Sequence, residues 1–169
     1  MKKVLKWFAI ILCTLVVAIG LFLFSMRFRD GPLAIITGGP FSSGELAPAP
    51  ADWSFLADRS EIEFQTMDPA RSRTVWLGVY EQRLFVVSGY MTTNYGAVWK
   101  QWPHYLENDD RIILRIDGEL YEQKLQRVMD GPAVMPVLSE FNRKYGSGEP
   151  TSAATITDGE TWMYEVVDR

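Results

Sequence analysis

Residues 7–24 run WFAIILCTLVVAIGLFLF, with no charge and Thr14 as the one polar side chain. Ser25 and Met26 extend the stretch to about 20 residues, which at ~1.5 Å per residue spans a hydrocarbon core of ~30 Å. Lipid offers backbone N–H and C=O groups no partner, so the segment is expected as a transmembrane helix. Beyond residue 53 the apolar period falls to two. Glu61-Ile62-Glu63-Phe64-Gln65 alternates strictly, as a half-buried strand does. Residues 74–80 and 83–88 are β-branched and aromatic runs joined by a tight connection, the pattern of a hairpin. Residues 111–116 meet Asp117-Gly118, a hairpin turn signal, and residues 120–128 return from it. Residues 161–167 close the set.

Two stretches carry a helical period. Residues 97–108 place Trp99, Trp102 and Leu106 on one face, and Pro103 either kinks that helix or marks its true start. Pro132 opens the second, with Val134, Val137, Leu138 and Phe141 directed inward, Arg143 and Lys144 in its last turn and Gly146 as its stop. Six clustered strands with two inserted helices define an α+β domain or a small barrel. Between membrane segment and domain, residues 31–51 are rich in Gly, Pro, Ser and Ala and are expected as a spacer, in which Leu33, Ile35 and Ile36 could pack as a short strand or against the domain. The resulting organisation is an N-terminus over 1–6, a membrane anchor over 7–26, a linker over 27–51 and a domain over 52–169.

Composition narrows the chemistry. The chain has 169 residues, 47% of them apolar, with one cysteine and one histidine. Disulfide scaffolds, thiolate zinc sites and histidine-rich metal centres are thereby disfavoured, and no metal is expected. A net charge of −4 argues against nucleic acid. The long apolar stretch lacks an Ala-x-Ala cleavage pattern and is expected as an uncleaved anchor. Lys2, Lys3 and Lys6 precede it, whereas Arg27 and Arg29 follow beside Asp30, so the N-terminus is expected in the cytoplasm and the domain outside it, periplasmic or otherwise extracytoplasmic. After residue 30, 12 Lys and Arg face 20 Asp and Glu, a formal −8. That average disfavours a domain lying on anionic lipid.

Three segments resemble the FMN-binding split β-barrel superfamily typified by pyridoxamine-phosphate oxidases, and within it the deazaflavin-dependent, nitroreductase-like branch. They are TVWLGVYEQRLFVVS over 74–88, the run His104-Tyr105-Leu106-Glu107-Asn108-Asp109-Asp110-Arg111-Ile112, and the hairpin Ile116-Asp117-Gly118-Glu119-Leu120-Tyr121-Glu122. The likeness spans roughly residues 53–168. It implies a six-stranded, mostly antiparallel split barrel with two helices, FMN or the deazaflavin F420 as cofactor, reductase chemistry and pairing into homodimers. The sequence departs from the family pattern at Tyr105, where relatives carry Asn, and at Asp110, where they carry Pro. Trp102 falls where flavin-binding relatives place a phosphate-binding cation, with Lys100 two residues away.

A flavin needs cations or oriented N–H groups for its phosphate and an apolar slot for its ring. Arg71, Arg73 and Thr74 supply charge and a hydroxyl ahead of the hairpin. Ser88 opens a polar, glycine-containing loop over 88–96, and Lys100 follows it. His104 could hydrogen-bond a cofactor or serve as an acid–base group, against the plainer reading of a partly exposed structural side chain. These six residues are the candidate cofactor-binding set. No nucleophile elbow, paired-carboxylate signature or metal-ligand spacing supports hydrolysis. The alternative from a different class is a non-catalytic tethered envelope module that uses its barrel for protein contacts.

Overall fold

The computed structural model describes residues 2–146 and 151–169. Met1 of the expected 1–6 segment and residues 147–150 of the expected 52–169 domain lie outside them. Helix α1 (Lys2–Ser25) has no buried residue. It is long and apolar enough to cross a membrane. Its polar side chains turn back onto the helix: Thr14 Oγ1 donates to the Ile10 carbonyl at 2.9 Å and Ser25 Oγ to that of Phe22 at 2.7 Å. Each hydroxyl is thus satisfied without water.

Seven strands follow: β1 (Glu45–Leu46), β2 (Glu61–Met67), β3 (Ala70–Tyr80), β4 (Arg83–Ser88), β5 (Arg111–Ile116), β6 (Glu119–Val128) and β7 (Trp162–Asp168). Their order is β1-β6-β5-β2-β3-β4-β7, and β6 also pairs with β7. The last pairing closes β2–β7 into a six-stranded antiparallel barrel, the fold the sequence pattern and resemblance imply. Closure removes the unpaired edges that would otherwise recruit another chain. Two of its hairpins turn through pairs of residues at positive φ, Glu81-Gln82 (49° and 67°) and Asp117-Gly118 (53° and 88°). That geometry matches the right-handed twist of the flanking strands.

Alternation puts Ile62, Phe64, Val75, Leu77, Leu84, Val86, Ile112, Leu114, Tyr121, Leu125, Tyr164 and Val166 inside the barrel. Trp53 and Leu56, at the end of the connecting segment, are buried in the same cluster. A second core lies on the outer wall, where α4 (Val134–Tyr145) covers Phe85 and Met163 with Val134, Val137, Leu138 and Phe141. Gly146 caps α4, as expected.

The segment over 97–108 is not one helix. It divides into α2 (Asn94–Trp99) and α3 (Trp102–Tyr105). Pro103 has no N–H to donate and its ring would clash with a preceding turn, so the helix restarts there. The expected face divides with it: Trp102 and Leu106 are buried while Trp99 is 52% exposed. Helix α5 (Ala154–Thr157) precedes β7.

The linker segment over 27–51 lies along the barrel wall. Gly38 pairs with Ser72 of β3, and the Phe41 N–H donates to Gln65 Oε1 at 2.5 Å. The short β1 adds to β6 in parallel, Glu45 beside Glu119. Arg115 clamps the segment, binding Asp30 at 2.8 Å and Glu63 at 2.7 Å with its guanidinium 4.2 Å from the Phe41 ring centre. Leu33 and Ile36 pair only with one another, and Ile35 stays exposed. Backbone hydrogen bonds and one half-buried arginine hold this segment, which a reading of composition cannot anticipate.

Candidate functional site

One end of the barrel is formed where β3 and β5 begin and β2, β4 and β6 end. There the inward phase of β3, set by Val75 and Leu77, continues to Arg73 and Arg71. Arg73 lies across from Phe64 and Arg71 across from Thr66. Residues paired across antiparallel strands share a face, so both cations are directed to the barrel mouth. Above them Trp102 plugs the mouth, its ring 5.1 Å from that of Phe64 and 5.4 Å from that of Tyr164.

The mouth is positively charged and lacks compensation. Arg73 Nε is shut off from solvent without a hydrogen-bond partner. Burial lowers the Arg73 guanidinium to about 10, so it stays charged at neutral pH, with the nearby Tyr105 hydroxyl opposing the shift. Lys100, at the end of α2, is also lowered by burial and by the charge of Arg73. Arg71 is lowered by burial and by Arg27, again against Tyr105. Among the described residues none of Arg71, Arg73 and Lys100 forms a salt bridge. Unpaired buried charge is costly, which marks such a position as a candidate for ligand binding.

A cleft of about 480 Å³ opens beside the plug, lined by Leu106, Glu107, Leu125, Arg127, Trp162 and Tyr164, among others. Arg127 shares the inward phase of Leu125 and pairs with Tyr164. Its guanidinium lies 3.6 Å from the Trp162 ring centre, a close cation–π contact. Arg127 Nε, too, is buried without a hydrogen-bond partner. Burial pushes the Tyr164 hydroxyl well above its ordinary range, so it remains a neutral donor.

The candidate residues divide. Arg71, Arg73 and Lys100 come together at the mouth. Ser88 ends β4 at the same end, buried, with its hydroxyl 3.3 Å from Met91 Sδ. His104 sits on α3 with its ring edge-on to Trp162 at 5.1 Å and Nδ1 3.7 Å from Glu107. Its side chain is 44% exposed. Thr74 is one residue out of phase with Arg73. It faces the outer wall, in a separate cleft of about 540 Å³ with Asp30, Glu63 and Arg115. Arg127 joins the site without having been singled out from sequence, and so does Tyr105, which the sequence marked only as a departure from the family pattern. The signal for Arg127 was its place at an inward position of an alternating strand, two residues after Leu125.

No family model matches the chain, and no curated protein matches it. Solved structures of similar fold include a putative pyridoxamine 5'-phosphate oxidase from Listeria innocua, 8% identical over 68% of this chain and 87% of that one, with a TM-score of 0.44. The heme storage protein HutZ from Vibrio cholerae is 12% identical over 69% and 86%, with a TM-score of 0.44. An F420 reductase is 14% identical over 72% and 96%, with a TM-score of 0.42. At these values the likeness is one of chain course alone, and the chemistry of this site rests on its own residues.

Proposed function

We propose that this protein is a membrane-anchored split-barrel reductase that takes FMN or a deazaflavin at the barrel mouth. The observation that carries the reading is Arg73, held inside the mouth with a buried, unpartnered Nε and with Arg71 and Lys100 beside it. This donor set fits the phosphate that both cofactors carry, since guanidinium and ammonium groups supply charge-assisted hydrogen bonds to its oxygens. Trp162, Tyr164 and Leu106 offer the apolar wall a flat ring requires. Such a cofactor, when bound, supplies a ring that accepts and donates hydride. The chain's own part is to bind and orient it, with Trp102 closing the barrel interior to water. Arg127 and the Tyr164 hydroxyl give the inner side of the cleft a cation and a neutral donor, and Lys124, Glu107, Asp110 and Asp168 complete its charged lining. Helix α1 anchors the protein with Lys2, Lys3 and Lys6 in the cytoplasm and the barrel beyond the membrane, an orientation that a reporter fused after Arg169 reads directly.

The test uses the full chain in detergent, titrated with FMN and with F420 while its visible spectrum and intrinsic fluorescence are followed. Saturable binding is expected, weakened roughly tenfold or more by Arg73→Ala, the scale of one lost charge-assisted hydrogen bond. Failure of both cofactors to bind would overturn the reductase reading in favour of the non-catalytic envelope module.

A further inference from the structure

The end of α1 is tied to the barrel with no slack. Met26 is buried. Gly39 lies so close beneath Arg27 that a Cβ there would stand 2.4 Å from the Arg27 carbonyl oxygen. The Gly39 N–H donates to the Arg29 carbonyl at 3.0 Å, and the adjacent Gly38 pairs with Ser72, the residue between Arg71 and Arg73. The helix therefore leaves from the strand that carries the basic rim.

At that end of the barrel, α2 and the loop before it expose Tyr90, Tyr95, Val98 and Trp99. Val98 is 78% exposed. The Tyr95 ring stands 6.4 Å from that of Tyr90 and 6.5 Å from that of Trp99, so the aromatics form one continuous row. Exposed Phe28 follows Arg27 directly. Tyrosine and tryptophan, with apolar bodies and polar tips, favour the headgroup level of a bilayer. The charges that act on Arg71, Arg73 and Lys100 come from Arg27, Tyr105 and Arg73 itself, and none from a carboxylate. Asp30, Glu61, Glu63 and Asp117 line the outer cleft, while Glu107 and Asp110 lie at the mouth end in the cleft beside Trp102, and none of them forms a salt bridge with Arg71 or Lys100.

We infer that the mouth end of the barrel docks on the bilayer surface, with the Tyr90–Tyr95–Trp99 row among the headgroups and the Arg27–Arg71–Lys100 rim against anionic lipid phosphates. The inference rests on α1 spanning the membrane and draws on Arg71 and Lys100, two cations of the proposed cofactor site, so the experiment is run with no cofactor added. A soluble partner protein would have to reach a patch that the taut helix exit holds beside the lipid.

The experiment reconstitutes the full chain into phosphatidylcholine–phosphatidylglycerol vesicles with brominated acyl chains and reads tryptophan quenching. Quenching of Trp7, isolated by Trp7→Phe, reports the span. Quenching removed by Trp99→Phe reports docking. Both are expected, and Arg27→Gln should lower the docked-to-undocked ratio by about fivefold, as should vesicles of phosphatidylcholine alone for each cation they leave unpaired. Quenched Trp7 with Trp99→Phe making no difference would overturn docking and leave the span intact. Unquenched Trp7 would remove the span and docking together.

Discussion

Arg73 and Arg115 are both inside the protein's surface and have opposite surroundings. Arg115 has two carboxylates and an aromatic face, and its side chain is 15% exposed. Arg73 has none of these. Replacing a buried, unpaired charge with an apolar side chain of similar length should stabilise the fold, so Arg73→Met is expected to raise the urea midpoint by the equivalent of about 1 kcal/mol or more. The same variant should lose cofactor binding, a trade expected of a binding residue and not of a structural one. Asp30 responds to pH. Hydrogen bonds from Ser43 and Ser42 and the Arg115 charge hold its carboxyl at about 2, against an ordinary 3.8. Its folded value is depressed, so its contribution is fully present above about pH 4 and is lost as pH falls through 2. Unfolding midpoints measured across that interval should show the decline, and Asp30→Asn should flatten it.

Elements divide between those governed by local pattern and those governed by distant contacts. The strands were legible because each side chain's face is fixed by its neighbours two residues away, and the Asp117-Gly118 turn because few residue types tolerate its backbone. At Gly118, φ is +88° with open space where a Cβ would stand. Gly118→Ala is therefore expected to cost ~1 kcal/mol from backbone conformation alone, seen as a lower midpoint at unchanged denaturant slope. Helix α4 was legible through its apolar stripe, and Phe141→Ala should cost about 3 kcal/mol by emptying its contact with the barrel wall. The division of α2 from α3 was only half legible: Pro103 signals a boundary, but the turn of Trp99 to solvent depends on the barrel beneath. β1 carried no signal, since two residues joined to β6 by backbone groups need no apolar pattern. The site was legible as a set of cations. Its geometry was not, because the turn of Thr74 away from Arg73 follows from a strand that begins at Ala70, earlier than the hydrophobic pattern shows.

For the whole molecule, the determining feature is the attachment of residues 27–51 to the barrel. Rich in Gly and Pro, such a segment would ordinarily be open to proteases. Here Ser42, Ser43, Gly38, Gly39 and Phe41 are all hydrogen-bonded. Limited proteolysis of the full chain in detergent is expected to spare this region, and Asp30→Asn to expose it, with fragments identified by mass. Fragments chosen by composition would fare badly. A fragment trimmed to residue 52 to gain solubility would keep every strand of the barrel yet strip Arg115 of one of its two carboxylates and take β1 from the side of β6. Its poor behaviour would be an injury inflicted by the cut, and the native domain should be handled from residue 26 onward, where the buried Met26 begins its hold on the barrel.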